Sequence, residues 1–431
     1  MYSSDPGAAN CSTCIGDSFR NGDLCESCPS PGARCKAGTD LEGIEVLEGY
    51  YRFSRAAVAI YECTPPDACV GGVNVSDLLC RTGHASALCS TCVQEPEPYY
   101  LDKNTDLCVS CDSPEGGISL GVILLIVISV LGLTGLGVGI WYREEISAYY
   151  TERRQVQLQR TQNQMTILFT TYQCVGSLAR AHKFRKGNGY PAPFDEFAGW
   201  LDAANLDVYD LFRLNCIHPS NFEAKLHFMT LAPLALSGAL LGVGFVRAKL
   251  TGGDMHELAE AKFVVLMMII ILPTVATTVC SAFSCDEFDD GGSVVRVMTI
   301  DYSIECVGTN TPPREILDFA MLMLLVYPVA IPTAIGVLLW ANRAAIRGRT
   351  SRNGPPSLSY ICFLFRLYGP AYWYFPVIDL FRRLFLCSFI LLFTSTTHQE
   401  VLALLVSMFF VILFTELQPC YERSTNLIMT T

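Results

Sequence analysis

The stretch from Ile118 to Trp141 reads ISLGVILLIVISVLGLTGLGVGIW, 24 residues without a charge. A bilayer's hydrocarbon core, about 30 Å thick, takes roughly 20 such residues as one helix. A soluble protein can bury one window of this kind. This chain follows it with apolar windows at about 165–179, 226–246, 262–283, 316–340, 377–395 and 399–417. Only 16 % of its 431 residues are charged, against about 25 % in soluble domains. The expected fold class is therefore a membrane all-α bundle of about seven transmembrane helices.

Residues 1–117 follow different rules. Twelve of the twenty cysteines lie there: Cys11, Cys14, Cys25, Cys28, Cys35, Cys63, Cys69, Cys80, Cys89, Cys92, Cys108 and Cys111. C-x-x-C recurs at 11–14, 25–28, 89–92 and 108–111, and Cys11/Cys14 with Cys25/Cys28 has usable zinc-ribbon spacing. Disulfides are the favoured reading, because the segment precedes an export-competent helix. Short β-prone pieces, GYYRFS at 49–54 and YYLD at 99–102, predict hairpins and not a sandwich. Asn10 and Asn74 head glycosylation sequons. This region has seven Lys/Arg against 17 Asp/Glu, so it carries −10 of the chain's −11. Such acidity argues against a nucleic-acid partner.

The predicted domains are an extracellular cysteine-rich unit at 1–117, a first transmembrane helix at 118–141, a cytoplasmic polar helix at 142–164 and a multi-pass region at 165–425. MYSSDPGAAN lacks the basic and apolar regions of a signal peptide. Either the first helix directs export, or the natural start lies upstream. Basic residues favour the cytoplasmic side. Counting 165–179 as a span puts Lys249 and the arginines at 343, 347, 349 and 352 inside. It also puts Cys216, Cys280, Cys285 and Cys306 on or near the oxidising side. The expectation is seven spans, an extracellular N-terminus and a cytoplasmic C-terminus, in the plasma membrane or another secretory-pathway membrane.

Several residues are candidates for function. Pro328 and Pro332 should break the span at 316–340, since each removes an N–H and crowds the preceding turn. Asp318 stands near the outer mouth of that span, and Gln173 is a polar residue within the short second span. In the outer loop, Asp286, Glu287, Asp289 and Asp290 could attract cations, calcium among them. A Cys285–Cys306 disulfide, or one from either to Cys216, would close this region. Asp379, Arg382 and Arg383 share a helix face at i, i+3 and i+4, with Glu416 expected at similar depth. No phosphate loop, H-E-x-x-H or nucleophile elbow is present, so no enzyme activity, cofactor or resident metal is expected. The six histidines suggest no metal site either.

These features resemble a family. CRTGHASALCSTC (Cys80–Cys92) is similar to an ephrin-receptor-like cysteine repeat, with Ala85-Ser86-Ala87 where glycine and proline are usual. YPVAIP (Tyr327–Pro332), Gln173, Cys285, Asp301 and Cys306 resemble elements of transient-receptor-potential-like and polycystin-like membrane proteins of algae, oomycetes and fungi. LYGPAYWYFPVIDLFRRLFL (Leu367–Leu386) resembles their aromatic-to-arginine block, with Pro376 at one acidic position and Asp379 at the other. QPCYERSTN (Gln418–Asn426) resembles their closing segment. The resemblance implies a cation-channel-like subunit, with calcium a candidate ion; Gln173, Asp318, Pro328 and Pro332 are the candidate pore or gate residues. Membrane lipids, a homo-oligomer or larger membrane complex, and an extracellular protein or glycan are the expected partners. A structural or adhesion anchor and a seven-span receptor are the alternatives.

Overall fold

A computed structural model describes residues 2–3, 13–14, 16–102, 105–112, 176, 216, 221–251, 259–308, 311–349, 358, 361–393 and 396–420. The expected helices at 118–141 and 142–164, the second span at 165–179 with Gln173, Cys11 and Asn10 lie outside the described residues.

The N-terminal part is a chain of antiparallel hairpins. They are β1 (Tyr2–Ser3) with β2 (Thr13–Cys14), β3 (Ser18–Asn21) with β4 (Leu24–Ser27), and β5 (Ala33–Arg34) with β6 (Glu45–Val46). Next come β7 (Tyr50–Tyr51) with β8 (Tyr61–Glu62), β9 (His84–Ala85) with β10 (Thr91–Cys92), and β11 (Tyr99–Asp102) with β12 (Leu107–Ser110). Strands of two to four residues bury too little surface to hold a fold, so cross-links take over. Cys14–Cys25, Cys28–Cys35, Cys63–Cys69, Cys80–Cys89 and Cys92–Cys108 are disulfides. Each closes a loop of its own stretch, and none joins the two cysteines of one C-x-x-C.

Two buried polar groups organise the loops between these staples. The Arg52 guanidinium is fully buried and donates to the carbonyls of Leu41 at 2.7 Å, Arg55 at 2.8 Å and Ala57 at 2.8 Å. His84 bridges backbone groups: one ring nitrogen lies 2.9 Å from the Cys89 carbonyl, and the other accepts the Cys108 N–H at 3.0 Å.

A three-stranded antiparallel sheet lies between the second and third membrane-length helices: β13 (Cys285–Asp289), β14 (Val294–Met298) and β15 (Asp301–Glu305). Cys285–Cys306 closes it. The tight β13–β14 turn needs Gly291 and Gly292, at φ +69° and +112°.

The helical part comprises α1 (Phe222–Thr251), α2 (Ala259–Ser281), α3 (Arg314–Leu324), a π turn (Leu325–Ala330), α4 (Ile331–Ala341), α5 (Arg343–Arg347), α6 (Cys362–Phe365), α7 (Phe375–Cys387) and α8 (Thr396–Leu417). Four stretches are long and apolar enough to cross a membrane: Phe222–Leu250, Glu260–Ser281, Arg314–Ala341 and Thr397–Leu417. The first three share one apolar core with α7, in which Leu226, Leu272, Val275, Tyr327, Leu339 and Leu384 are buried, and α8 packs through smaller clusters around Phe414 and Ala403.

Of the seven expected spans, those at 118–141 and 165–179 fall outside the described residues; among the described residues there are four such helices, and the expected span at 377–395 is corrected, since it is not one. α7 has 13 residues, a length of about 20 Å, and its backbone leaves the helix at Ser388, with φ −128° and ψ −58°. A 3₁₀ turn, Phe389–Leu392, follows. The break is stable because side chains take up the freed carbonyls, as irregular backbone inside a bundle requires. Thr277 donates to the Cys387 carbonyl at 3.0 Å, Ser284 to Leu391 at 3.3 Å and Gln399 to Phe393 at 2.6 Å.

The helices alternate between two ends. One end carries the three-stranded sheet and the hairpin module. At the other, Arg247 of α1 meets Glu260 of α2 at 2.9 Å, and the Gly369 N–H reaches the Pro419 carbonyl at 2.8 Å.

Candidate functional site

Three places gather residues with chemistry beyond packing: the joint between module and sheet, the broken span, and the charged end of α7.

At the joint, Phe288 of β13 is 9 % exposed and enters an aromatic group contributed mainly by the module. Its ring centre lies 5.2 Å from Phe53, 5.0 Å from Tyr61 and 5.6 Å from Tyr302. The Tyr61 hydroxyl accepts the Asp289 N–H at 2.7 Å. A Cβ on Gly291 would sit 2.3 Å from the Ala56 carbonyl oxygen, so module and turn approach backbone to backbone. Two further links bind the parts at this end together. Cys111–Cys216 is a disulfide spanning 105 residues of sequence. Asp301 Oδ2 accepts the Phe222 N–H at 2.9 Å, which ties β15 to the start of α1.

The acidic residues of β13 and its turn serve this joint. Asp286 accepts the Tyr302 hydroxyl at 2.9 Å, Glu287 pairs with Arg296 across the strands at 2.7 Å, and Asp289 accepts the Gly291 N–H at 3.1 Å. Asp290 follows in the turn. The four carboxylates do not converge: among the described residues, the one group of three or more ligand atoms within 4.8 Å comprises the sulfurs of Cys63, Cys69 and Cys89. Those cysteines are disulfide-bonded.

In the broken span, the sequence YPVAIP produces a π turn between α3 and α4. Pro328 cannot donate to the helix ladder, and widening one turn relieves the crowding. Tyr327 points inward and donates to the Thr230 carbonyl of α1 at 2.5 Å. Pro328 and Pro332 are both buried against the bundle. The opposite face is open: Asp318, Leu322, Leu325 and Val329 are exposed at helical spacing. Thr333 continues that face, donating back to the Val329 carbonyl at 2.6 Å.

At the charged end, Asp379 is 3 % exposed and accepts from two arginines. Arg382 reaches one oxygen at 2.9 Å and Arg383 the other at 2.5 Å. The arginine that contacts α8 is Arg382, whose guanidinium lies 5.7 Å from the Phe414 ring centre and 6.0 Å from Phe410. Glu416 is exposed and is not its partner, so the expected Glu416 contact is replaced by a cation–aromatic one. Asn74 is exposed, as a glycan acceptor needs to be.

No protein-family model, curated protein or solved structure matches the chain. Sequence reasoning missed Phe288 and Tyr61, whose pairing is a long-range contact without a local pattern. It also missed the disulfide-bonded state of Cys387, at the broken end of α7.

Proposed function

We propose that this chain is a subunit of a cation-channel-like membrane protein whose cysteine-rich module is extracellular. The observation that carries the reading is the exposed face of α3 and the π turn. Asp318 lies about 6 Å along α3 from its first residue and is exposed. A carboxylate facing lipid at that position is costly, so intramembrane acids face water or protein. A ring of Asp318 side chains in a homo-oligomer would attract cations, while Leu322 and Leu325 below it would form an apolar constriction of the kind that gates by dewetting. The π turn supplies a place where the span can change pitch.

The orientation follows from charge. Among the described residues, the end remote from the module bears Arg247, Lys249, Lys262, Arg343, Arg347, Arg349, Arg366, Arg382 and Arg383, nine cations against Glu260, Asp379 and Glu416. That excess favours the cytoplasmic face. The resemblance to transient-receptor-potential-like proteins points to the same activity and to calcium as a permeant ion. A second reading, an adhesion anchor, is favoured by one observation: the module is fixed to the bundle by aromatic packing and a disulfide.

Reconstitution in planar bilayers separates the two. The channel reading expects a cation-selective current whose reversal potential shifts toward anions in Asp318→Lys. An intact oligomer without current, or with selectivity unchanged by Asp318→Lys, would sink it.

A further inference from the structure

A cleft of about 150 Å³ opens at the cation-rich end, between α2, α4, α6 and α7. Its lining combines Lys262, Arg366 and Arg383 with Leu266, Ile269 and Ile335. Among the described residues, the one carboxylate that faces it is Asp379, which is paired with Arg382 and Arg383. Counting Arg382, the described lining brings four cations to one acid, a positive balance. Drug-sized ligands occupy about 300–1,000 Å³, so this cleft holds a compact group and leaves the rest of its ligand outside.

The depth of the cleft is marked independently. Arg343 lies over Trp340 at 4.3 Å, and Arg347 over Trp373 at 5.9 Å. Amphipathic rings paired with cations gather at the level of lipid headgroups. Apolar walls below and cations at that level match an amphiphile with an anionic head. The cationic wall is also held in place: Arg349 donates to the carbonyl of Phe365 at 3.2 Å and to that of Tyr368, bracketing Arg366.

We infer that this cleft binds the phosphate of an anionic phospholipid, with Lys262, Arg366 and Arg383 around the phosphate and the acyl chain along the α2–α4 wall. This site is separate from the conduction face on α3, so it stands whether or not the chain conducts. Arg349 is a positioning residue, because it touches the loop and not the lipid.

The test is native mass spectrometry of the full chain from nanodiscs of phosphatidylcholine mixed with phosphatidylserine. Wild type should retain phosphatidylserine under activation that strips phosphatidylcholine. Lys262 is exposed, so Lys262→Gln should fold and lower the retained phosphatidylserine by about fivefold, one cation's share of the attraction. Arg366→Gln should do the same, and Arg366→Lys should restore it. Equal retention of both lipids, or retention unchanged in Lys262→Gln and Arg366→Gln, would overturn the inference. Displacement of phosphatidylserine by millimolar inorganic phosphate would also overturn it, by marking the cleft as a free-anion site.

Discussion

The two ends of the bundle are fastened by opposite means. Towards the module, the links are disulfides, strand register and packed rings; the acids Asp286 and Glu287 accept bonds within the sheet, and Asp301 ties the sheet to α1. At the other end, a single buried carboxylate, Asp379, holds two arginines, and aromatic rings receive the remaining cations. Covalent staples and ladders have one arrangement. Cation–aromatic and arginine–carboxylate contacts can exchange partners at modest cost. The comparison teaches where movement belongs: a module that is rigid with its sheet would pass displacement to α1 and α3, and rearrangement would occur at the charged end.

The largest expected effect lies at that charged end. Asp379→Ala leaves two arginines around an empty site, and breaking a buried ion pair from one side costs about 3–5 kcal/mol. Thermal unfolding in detergent checks this. A charge swap, Asp379→Arg with Arg383→Asp, should recover part of the loss and not all, because Arg382 would then face a like charge. Next, Phe288→Ala should weaken the joint by about 3 kcal/mol. Limited proteolysis would show the module becoming susceptible while α1 and α2 stay protected. If both parts loosen together, the two regions are not separable. Replacing Cys285 and Cys306 by Ser should cost about 3 kcal/mol, as for a loop of this size, and the loss should be confined to the sheet in hydrogen exchange.

Much of this division was legible in the chain and some was not. The cysteine count at 11–111 announced a stapled module, because strands too short for a core need cross-links. The windows at 226–246, 262–283, 316–340 and 399–417 correspond to helices of membrane length. The window at 377–395 misled, since composition measures greasiness and not continuity. Its break at Ser388 is stabilised by Thr277, Ser284 and Gln399, from elsewhere in the chain. Pro328 signalled a break but not that it would be a π turn, which depends on Tyr327 reaching Thr230. The i, i+3, i+4 spacing of Asp379, Arg382 and Arg383 placed those charges on one face. Their burial depends on packing against α2 and α8. Cys111–Cys216 could not be read, because spacing carries no information across 105 residues.

The smallest effect expected is a pH response of the module. Burial, and then the nearby Arg81, hold the His84 pKa below its usual 6.5, only partly offset by the Cys89 carbonyl. The neutral ring fits its place, since one nitrogen accepts an N–H. Below pH about 6.5 the unfolded chain binds this proton more readily than the folded one, so module stability falls as pH drops through the window beneath that value. Hydrogen exchange of residues 84–108 from pH 7 to pH 5 would register it, and His84→Gln should flatten the profile.

The central claim is that the exposed face of α3 and its π turn borders water in the assembled protein. Leu325→Cys tests it most directly, in current-carrying bilayers treated with a charged, membrane-impermeant thiol reagent. The cysteines outside disulfides among the described residues are Cys280 and Cys420, both buried, and Cys362, half-buried, and the wild-type current under the same reagent is the control for labelling elsewhere. The account predicts that the reagent abolishes the Leu325→Cys current. A Leu325→Cys current untouched by that reagent, with the thiol labelled only by a lipid-soluble one, would place the face in lipid and contradict the account.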